Sequence, residues 1–320
     1  MSERENKDSS LFVLVLVAVA FAVKDYFIPV VTFILQGSSE SSKYSYLSAM
    51  FQFLVYILVF FVYELRRNNL RYRSPENQMA KSKQVDVPLK DMVVAVGVSI
   101  LSFIAFQLMK TMVLLILYAA TQNSIWIPEI TVVNARSLLL IFLVHVVCSA
   151  IAEETFYRGV LLRELSKGSP KFALLVVILL FAFAHSSIEQ VIQSLFLGTV
   201  LCLVFARKGS LLLCTVIHIV YNTLGWVNTY LYAPGYGMIS DVVYFGTSLD
   251  CYKNAVLLAM FSVVIIGGLL LLLPLIERQE GATSNNRFQN PKLVFLGATI
   301  LLVIYARKCI LTVWQQVVFG

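Results

Sequence analysis

Long apolar segments dominate this chain and constrain its fold more than any other feature. Of its 320 residues, 59% are hydrophobic and only 13% are charged, whereas soluble domains contain about 25% charged residues. Because about 20 apolar residues span a bilayer as one helix, we predict an all-α, polytopic transmembrane bundle of eight or nine helices. The candidate spans are 11–36, 44–65, 92–120, 137–162, 172–187, 188–206, 211–232, 254–276 and 293–315.

Positive charge predicts how this bundle is oriented. Fifteen of the 25 Lys and Arg residues fall in the segments 66–91, 163–171, 207–208 and 277–292, whereas the alternate loops hold three. Cytoplasmic loops of membrane proteins carry such an excess. We therefore expect a multi-pass membrane protein with a cytosolic N-terminus and with loops 121–135 and 233–253 outside. The compact chain, without long soluble insertions, favours the plasma membrane of a bacterium. The net charge of +7 reflects this orientation and does not indicate nucleic-acid binding.

The chain divides at its polar stretches. We predict an N-terminal transmembrane hairpin with a basic cytosolic loop over 1–91, a core over 92–276, and a C-terminal loop and membrane segment over 277–320. The first ten residues mix acidic and basic side chains, so no cleavable signal peptide is expected. The five cysteines show no CxxC spacing and are interpreted as packing residues.

Six charged or polar side chains interrupt the apolar segments: Glu153, Glu154, Arg158, His185, His218 and Asn222. A charge at the centre of a bilayer costs roughly 2.5–3.5 kcal/mol on insertion scales. Such groups are tolerated when they face one another or a water-filled cavity, and they mark functional sites. Within these segments, the cluster predicts an enzyme active site.

Helical spacing separates the roles of the two glutamates. Glu154 and Arg158 are four residues apart and share a helix face, so we expect a structural ion pair. Glu153 is turned about 100° from Glu154 and has no such partner. A partly desolvated, unpaired carboxylate suits general acid–base catalysis.

The two histidine motifs offer the remaining chemistry. His185 closes an apolar run, with Phe181 on the same face as a packing residue. His218 and Asn222 are four residues apart and can stabilise the oxyanion of a tetrahedral intermediate. We expect His145 to be structural, Glu189 and Gln190 to lie at the outer interface, and Lys24, Asp25 and Lys110 to snorkel or lie near an interface.

Two ways of activating a water remain open. Glu153 and His185 can polarise it directly without a metal, which is the preferred mechanism. Alternatively, Glu153, His185 and His218 are a legitimate zinc ligand set with an open fourth position. The chain contains no HExxH, no Walker loop and no GxSxG elbow.

The polar residues fall in three motifs, EETFYRG at 153–159, FAFAH at 181–185 and HIVYN at 218–222. In order and spacing, these motifs resemble those of the CPBP family of CAAX-type and bacteriocin-processing intramembrane proteases. The resemblance covers about 140–225. It implies a helical membrane fold with a water-accessible cavity, in which Glu153 and His185 activate water. It further implies that His218 and Asn222 stabilise the oxyanion, and that Glu154 and Arg158 hold the architecture.

We therefore predict an intramembrane endopeptidase that acts on membrane-bound or lipidated peptides, with the lipid bilayer as its other partner. One alternative is a catalytically silent scaffold or bacteriocin-immunity protein. Another is a zinc-dependent version of the same protease. A proton-relay transporter ranks lowest, because the sequence shows no internal repeat.

Overall fold

The computed structural model describes residues 3–30, 41–72, 86–121, 135–166, 169–185, 188–228, 263, 265–268 and 271–276. Every regular element within those residues is helical, which confirms the all-α prediction. The helices are α1 (Glu3–Ala22, continued by a π-helical segment Val23–Phe27), α2 (Ser41–Tyr72), α3 (Leu89–Thr121), α4 (residues 135–165), α5 (Pro170–Phe183), α6 (Ile188–Lys208) and α7 (Leu211–Trp226). The C-terminal part that is described ends in a 3₁₀ turn, Leu273–Leu275.

Helix α4 alternates between two helical forms. Its α-helical parts are Ala135–Ile141, Ser149–Glu154 and Arg163–Leu165, and its π-helical parts are Phe142–Cys148 and Thr155–Leu162. π-Helical turns are rare and occur frequently at functional sites. The helix that contains both glutamates therefore departs from the regular 3.6-residue repeat on either side of them.

Local side chains set the ends of α5, α6 and α7. Ser169 accepts a hydrogen bond from the backbone N–H of Phe172, and Pro170 occupies the first turn of α5. Gly209 ends α6 with φ of 69°, a left-handed conformation that glycine adopts without steric cost. Ser210 then caps α7 by accepting from the N–H of Leu213. The short polar turn in the sequence therefore becomes a tight helix–helix connection.

Five of the described helices are long and apolar enough to cross a membrane: Phe12–Val30, Ala49–Asn68, Leu89–Gln107, Leu138–Leu165 and Gln190–Lys208. Shorter apolar helices are Pro170–Phe183, Leu211–Trp226 and Ile265–Leu275. The protein is thus an integral membrane protein. The ninth candidate span and most of the two expected outer loops lie outside the described residues. The count of eight or nine, the orientation and the three-part division stay predictions.

Helix α4 occupies the centre of the bundle. It contacts α1, α2, α5, α6 and α7, while α6 packs along α5 and α7 packs along α3. On α4, Phe156 and Tyr157 are buried among the neighbouring helices. Large apolar side chains such as Leu58, Leu139 and Leu203 are exposed on the outer surface, as lipid-facing residues should be. The packing therefore places the glutamates of α4 in the interior.

Candidate active site

A cavity of about 760 Å³ opens beside α4. Its walls include all four predicted catalytic residues, Glu153, His185, His218 and Asn222. They come from α4, the end of α5 and α7, which are separated by up to 69 positions in the sequence. The helical packing therefore assembles the polar groups of three separate motifs around one space.

Glu154, Arg158 and His218 form a buried, hydrogen-bonded triad. One oxygen of Glu154, Oε1, accepts hydrogen bonds from Arg158 Nη1 at 2.8 Å and from His218 Nδ1 at 2.7 Å. Glu154 and Arg158 are completely buried, and His218 is 3% exposed. The Glu154–Arg158 ion pair expected from the spacing is present. The structure adds the histidine, since a carboxylate can only accept and Nδ1 must therefore carry a proton.

Glu153 faces the cavity from the other side of His218. Its Oε1 accepts a hydrogen bond from Ser149 Oγ at 2.7 Å, and its Oε2 lies 3.9 Å from His218 Nε2. It is 9% exposed. The expectation that Glu153 lacks a cationic i+4 partner fits this geometry, but the carboxylate is not isolated. His218 lies between the two glutamates and presents one ring nitrogen to each.

Backbone and side-chain contacts fix the ring of His185. Nδ1 lies 2.9 Å from the carbonyl oxygen of Phe181, and Ser194 Oγ lies 3.1 Å from Nδ1 and 3.3 Å from Nε2. Because a carbonyl only accepts, the contact with Phe181 places the proton on Nδ1. The lone pair is then on Nε2, the nitrogen available for proton transfer.

The ring of Phe181 connects the charged groups. It packs edge-on against His185 and His218, with centroid separations of 5.4 and 5.9 Å. The guanidinium of Arg158 lies over the same ring, 4.7 Å from its centroid, which is a favourable cation–π geometry. Tyr157 makes a further edge-on contact at 5.1 Å. Phe181 therefore packs as expected, and through its contacts it sets the positions of both imidazoles.

The structure adds contacts for three residues whose expected roles it does not test. His145, expected to be structural, lines the cavity wall. Gln190, expected at the outer interface, is exposed and also lines the cavity. Lys24, expected to snorkel or lie near an interface, donates from Nζ to the carbonyl of Ala184 at 2.9 Å. The side chains of Lys110 and Glu189 lie outside the described part of the chain.

Sequence reasoning missed Ser149 and Ser194. Ser149 precedes Glu153 by four residues, so the i, i+4 rule that identified the Glu154–Arg158 pair could have found it. Ser194 reaches His185 from α6, and no local spacing indicates this contact. Lys24 and Ala184 are 160 positions apart, and no sequence pattern predicts the contact between them.

The zinc alternative is only partly matched by this geometry. Metal-binding histidines usually donate their second ring N–H to a carboxylate or a backbone carbonyl, and His218 and His185 both do so. Within the described ranges, however, no three His, Cys, Asp or Glu side chains are placed so that they could hold one ion. As the side chains stand, Glu153, His185 and His218 do not form a preformed metal site.

Comparison with known proteins identifies the central segment. Residues 135–224 match a family model described as Rce1-like, type II CAAX prenyl endopeptidase. The matched segment contains all three motifs, so the predicted relation to the CPBP, CAAX-type family is confirmed over these residues. No curated protein and no solved structure matches the chain.

Proposed function

We propose that this membrane protein hydrolyses peptide bonds of membrane-bound or lipidated peptides at the cavity beside α4. The match of residues 135–224 to a model of CAAX prenyl endopeptidases supports the proposal. Prenylated proteins and pheromone- or bacteriocin-like precursors are the substrate classes. The assignment includes a cytosolic N-terminus, which the distribution of basic residues supports, and a bacterial plasma membrane as the location.

One observation supports this proposal above the others, namely the relation between Glu153 and His218. Glu153 Oε2 and His218 Nε2 are 3.9 Å apart at the cavity wall, which is too far for a direct hydrogen bond. A polar contact of this length suits a bridging water, hydrogen-bonded to both groups. The attacking water of a hydrolase needs such a pair of oriented partners.

The reaction then follows from the residues at the cavity. Glu153 accepts a proton from this water while the water oxygen attacks the peptide carbonyl, and His185 Nε2 assists in orienting the water. As the attack proceeds, His218 Nε2 exchanges its contact with the water for the developing oxyanion. Glu153 returns the proton to the departing amine, so that the carboxylate is regenerated. Ser149 keeps Glu153 in place through its 2.7 Å hydrogen bond.

The developing oxyanion is assigned to His218 and Asn222, which line the same cavity from α7. Donation from His218 Nε2 requires the imidazolium form. The carboxylates of Glu154 and Glu153 on either side of the ring supply the negative charge that an imidazolium needs. Preorganised donors of this kind usually make the largest electrostatic contribution to acyl-transfer catalysis.

The cavity also suits a peptide as substrate. An extended peptide within a bilayer has backbone N–H and C=O groups without partners, and each such group costs roughly several kcal/mol. Carboxamides supply both a donor and acceptors. Side chains of this type line the cavity from α2, α3, α6 and α7 and from just after the end of α7: Gln52, Gln107, Gln190, Gln193, Asn222 and Asn228.

If zinc takes part, Glu153, His185 and His218 would be its ligands, and the ion would supply Lewis-acid polarisation and a more acidic water. This version requires rearrangement of the side chains, because they do not converge on one point as they stand. The metal-free version uses the observed positions directly.

The test is cleavage of synthetic peptides, farnesylated and unmodified, by the purified protein in detergent, with products identified by mass spectrometry. Wild type is compared with Glu153→Gln, each with and without a strong chelator. Glu64→Gln is the matched control, since Glu64 is bonded to Arg67 and Arg163 and lies outside the cavity lining.

We expect wild type and Glu64→Gln to cleave with and without chelator, and Glu153→Gln to be inactive although folded. Cleavage that is lost with chelator and restored by zinc would support the metal version instead. Cleavage that persists in Glu153→Gln would contradict the assignment of the general base. A folded wild type that cleaves none of the peptides would favour the silent scaffold.

A further inference from the structure

A lysine of the first membrane helix reaches the active-site region. Lys24 lies in the π-helical segment Val23–Phe27, in the C-terminal half of the candidate membrane span Phe12–Val30. Its ammonium donates to the carbonyl oxygen of Ala184 at 2.9 Å, across 160 positions of sequence. Lys24 is also part of the cavity wall. It lies outside the segment 135–224 that the family model matches.

The carbonyl that Lys24 binds belongs to the end of α5. Helix α5 ends at Phe183 and Ala184 is its C-terminal cap, where backbone carbonyls lack intrahelical partners. A cation at this end satisfies such a carbonyl and interacts favourably with the helix dipole. Ala184 is directly followed by His185, so the contact fixes the backbone from which the imidazole projects.

The charge of Lys24 acts on the reacting groups as well as on the backbone. Lys24, Glu153 and His185 all line one cavity, so the ammonium, the carboxylate and the imidazole face a common space. Coulomb interactions inside a protein are several-fold stronger than in water. The charged and titratable groups that line this cavity, or pair with a residue that does, are Lys24 from α1, His145, Glu154 and Arg158 from α4, and His218 from α7. Asp25 follows Lys24 in the same π-helical segment.

The backbone around Lys24 shares an unusual feature with the other cavity walls. In the described part of the chain, three π-helical segments of 5, 7 and 8 residues each supply a residue to the cavity wall. These residues are Lys24 from α1, and His145 and Tyr157 from α4. Such turns are rare and cluster at functional sites. We therefore count the π-helical segment of α1 as part of the same site as the two segments of α4.

We propose that Lys24 is a positioning residue of the endopeptidase site, by which the N-terminal membrane helix completes a centre that the matched segment does not form alone. It holds the end of α5 that bears His185, and it supplies a positive charge beside Glu153. This inference rests on the proposed function, and its test separates the two.

The experiment measures kcat, KM and the pH profile of kcat/KM for full-length protein with a farnesylated peptide that wild type cleaves. The variants are Lys24→Met, which removes the charge and the donor, and Lys24→Arg, which keeps both. Lys171→Met is the matched control, because Lys171 is exposed at the opposite end of α5. Thermal unfolding of each variant gives the fraction that is folded.

For Lys24→Met we expect kcat per folded molecule to fall roughly ten- to hundredfold, the range for residues that orient catalytic groups, with KM changed less than about threefold. The pH profile should move to higher pH, since loss of a positive charge makes neighbouring groups easier to protonate. Lys24→Arg should restore kcat and the wild-type profile, and Lys171→Met should change neither.

Two results would overturn the inference while leaving the proposed function intact. In the first, Lys24→Met keeps the wild-type kcat and pH profile. In the second, Lys24→Met and Lys24→Arg both lose only thermal stability, with unchanged kcat per folded molecule, which would make Lys24 a structural cap. If Lys24→Met does not fold, Lys24→Gln provides the uncharged donor for the same comparison. Absence of cleavage by folded wild type would instead refute the proposed function itself.

Discussion

Replacing Glu154 by Gln tests whether the two neighbouring glutamates have separate roles. Glu154 is completely buried and binds Arg158 at 2.8 Å and His218 at 2.7 Å. The substitution leaves the shape unchanged but leaves the guanidinium of Arg158, also completely buried, without its anion. Breaking a buried ion pair in this way costs about 3–5 kcal/mol.

The expected shift in melting temperature follows from this free energy. An unfolding entropy of about 2.1 cal/mol/K per residue gives roughly 0.7 kcal/mol/K for a chain of this length. Glu154→Gln should therefore melt about 4–7 °C below wild type. In contrast, Glu153→Gln removes a buried charge and keeps an acceptor for Ser149, so its melting temperature should be unchanged or higher.

The assay is thermal unfolding in detergent, followed by the fluorescence of the three tryptophans, at one scan rate because membrane proteins commonly unfold irreversibly. Peptide cleavage is measured on the same samples below the melting range. Glu153→Gln should be stable and inactive. Glu154→Gln should be unstable, with activity reduced at least about tenfold, since His218 loses the carboxylate that orients it.

A melting temperature of Glu154→Gln within about 1 °C of wild type would contradict the structural role of Glu154, because a buried guanidinium without its anion destabilises the folded state by several kcal/mol. Lower stability of Glu153→Gln than of Glu154→Gln would contradict it as well. In that case the structural and catalytic assignments of the glutamates would have to be exchanged.

Three further predictions concern residues around the site and at the end of α6. Ser149→Ala removes a hydrogen bond to a carboxylate, worth about 1.5–3 kcal/mol, and should lower kcat/KM roughly ten- to hundredfold, while Ser149→Thr should retain part of the activity. In Gly198→Ala, the new Cβ would lie 3.0 Å from the ring of Phe181. We therefore expect the free energy of unfolding to fall by about 1–3 kcal/mol and kcat to be lower. A variant with wild-type stability and wild-type kcat would contradict this packing. Lys208→Met leaves Asp91 buried without the ammonium that lies 2.8 Å from it. This change should lower the free energy of unfolding by about 3–5 kcal/mol and leave kcat per folded molecule unchanged. An altered kcat would show that the pair is coupled to the cavity.

Local sequence rules predicted much of the site. The i, i+4 spacing correctly paired Glu154 with Arg158, and the apolar segments correctly predicted the helices that contain all three motifs. The polar turn at Gly209 and Ser210 became the connection between α6 and α7. These features depend on residues within a few positions of one another, and helical periodicity fixes their relative directions.

The sequence by itself therefore determined the helical fold, the membrane environment and the types of reactive groups. Only the tertiary structure decided that His218 lies between Glu153 and Glu154, that Ser194 contacts His185, and that Lys24 binds Ala184. The physical reason is that each helix can satisfy its own backbone, so periodicity says which side chains share a face. Which faces meet is settled by the packing of the helices around α4, over separations of up to 160 positions.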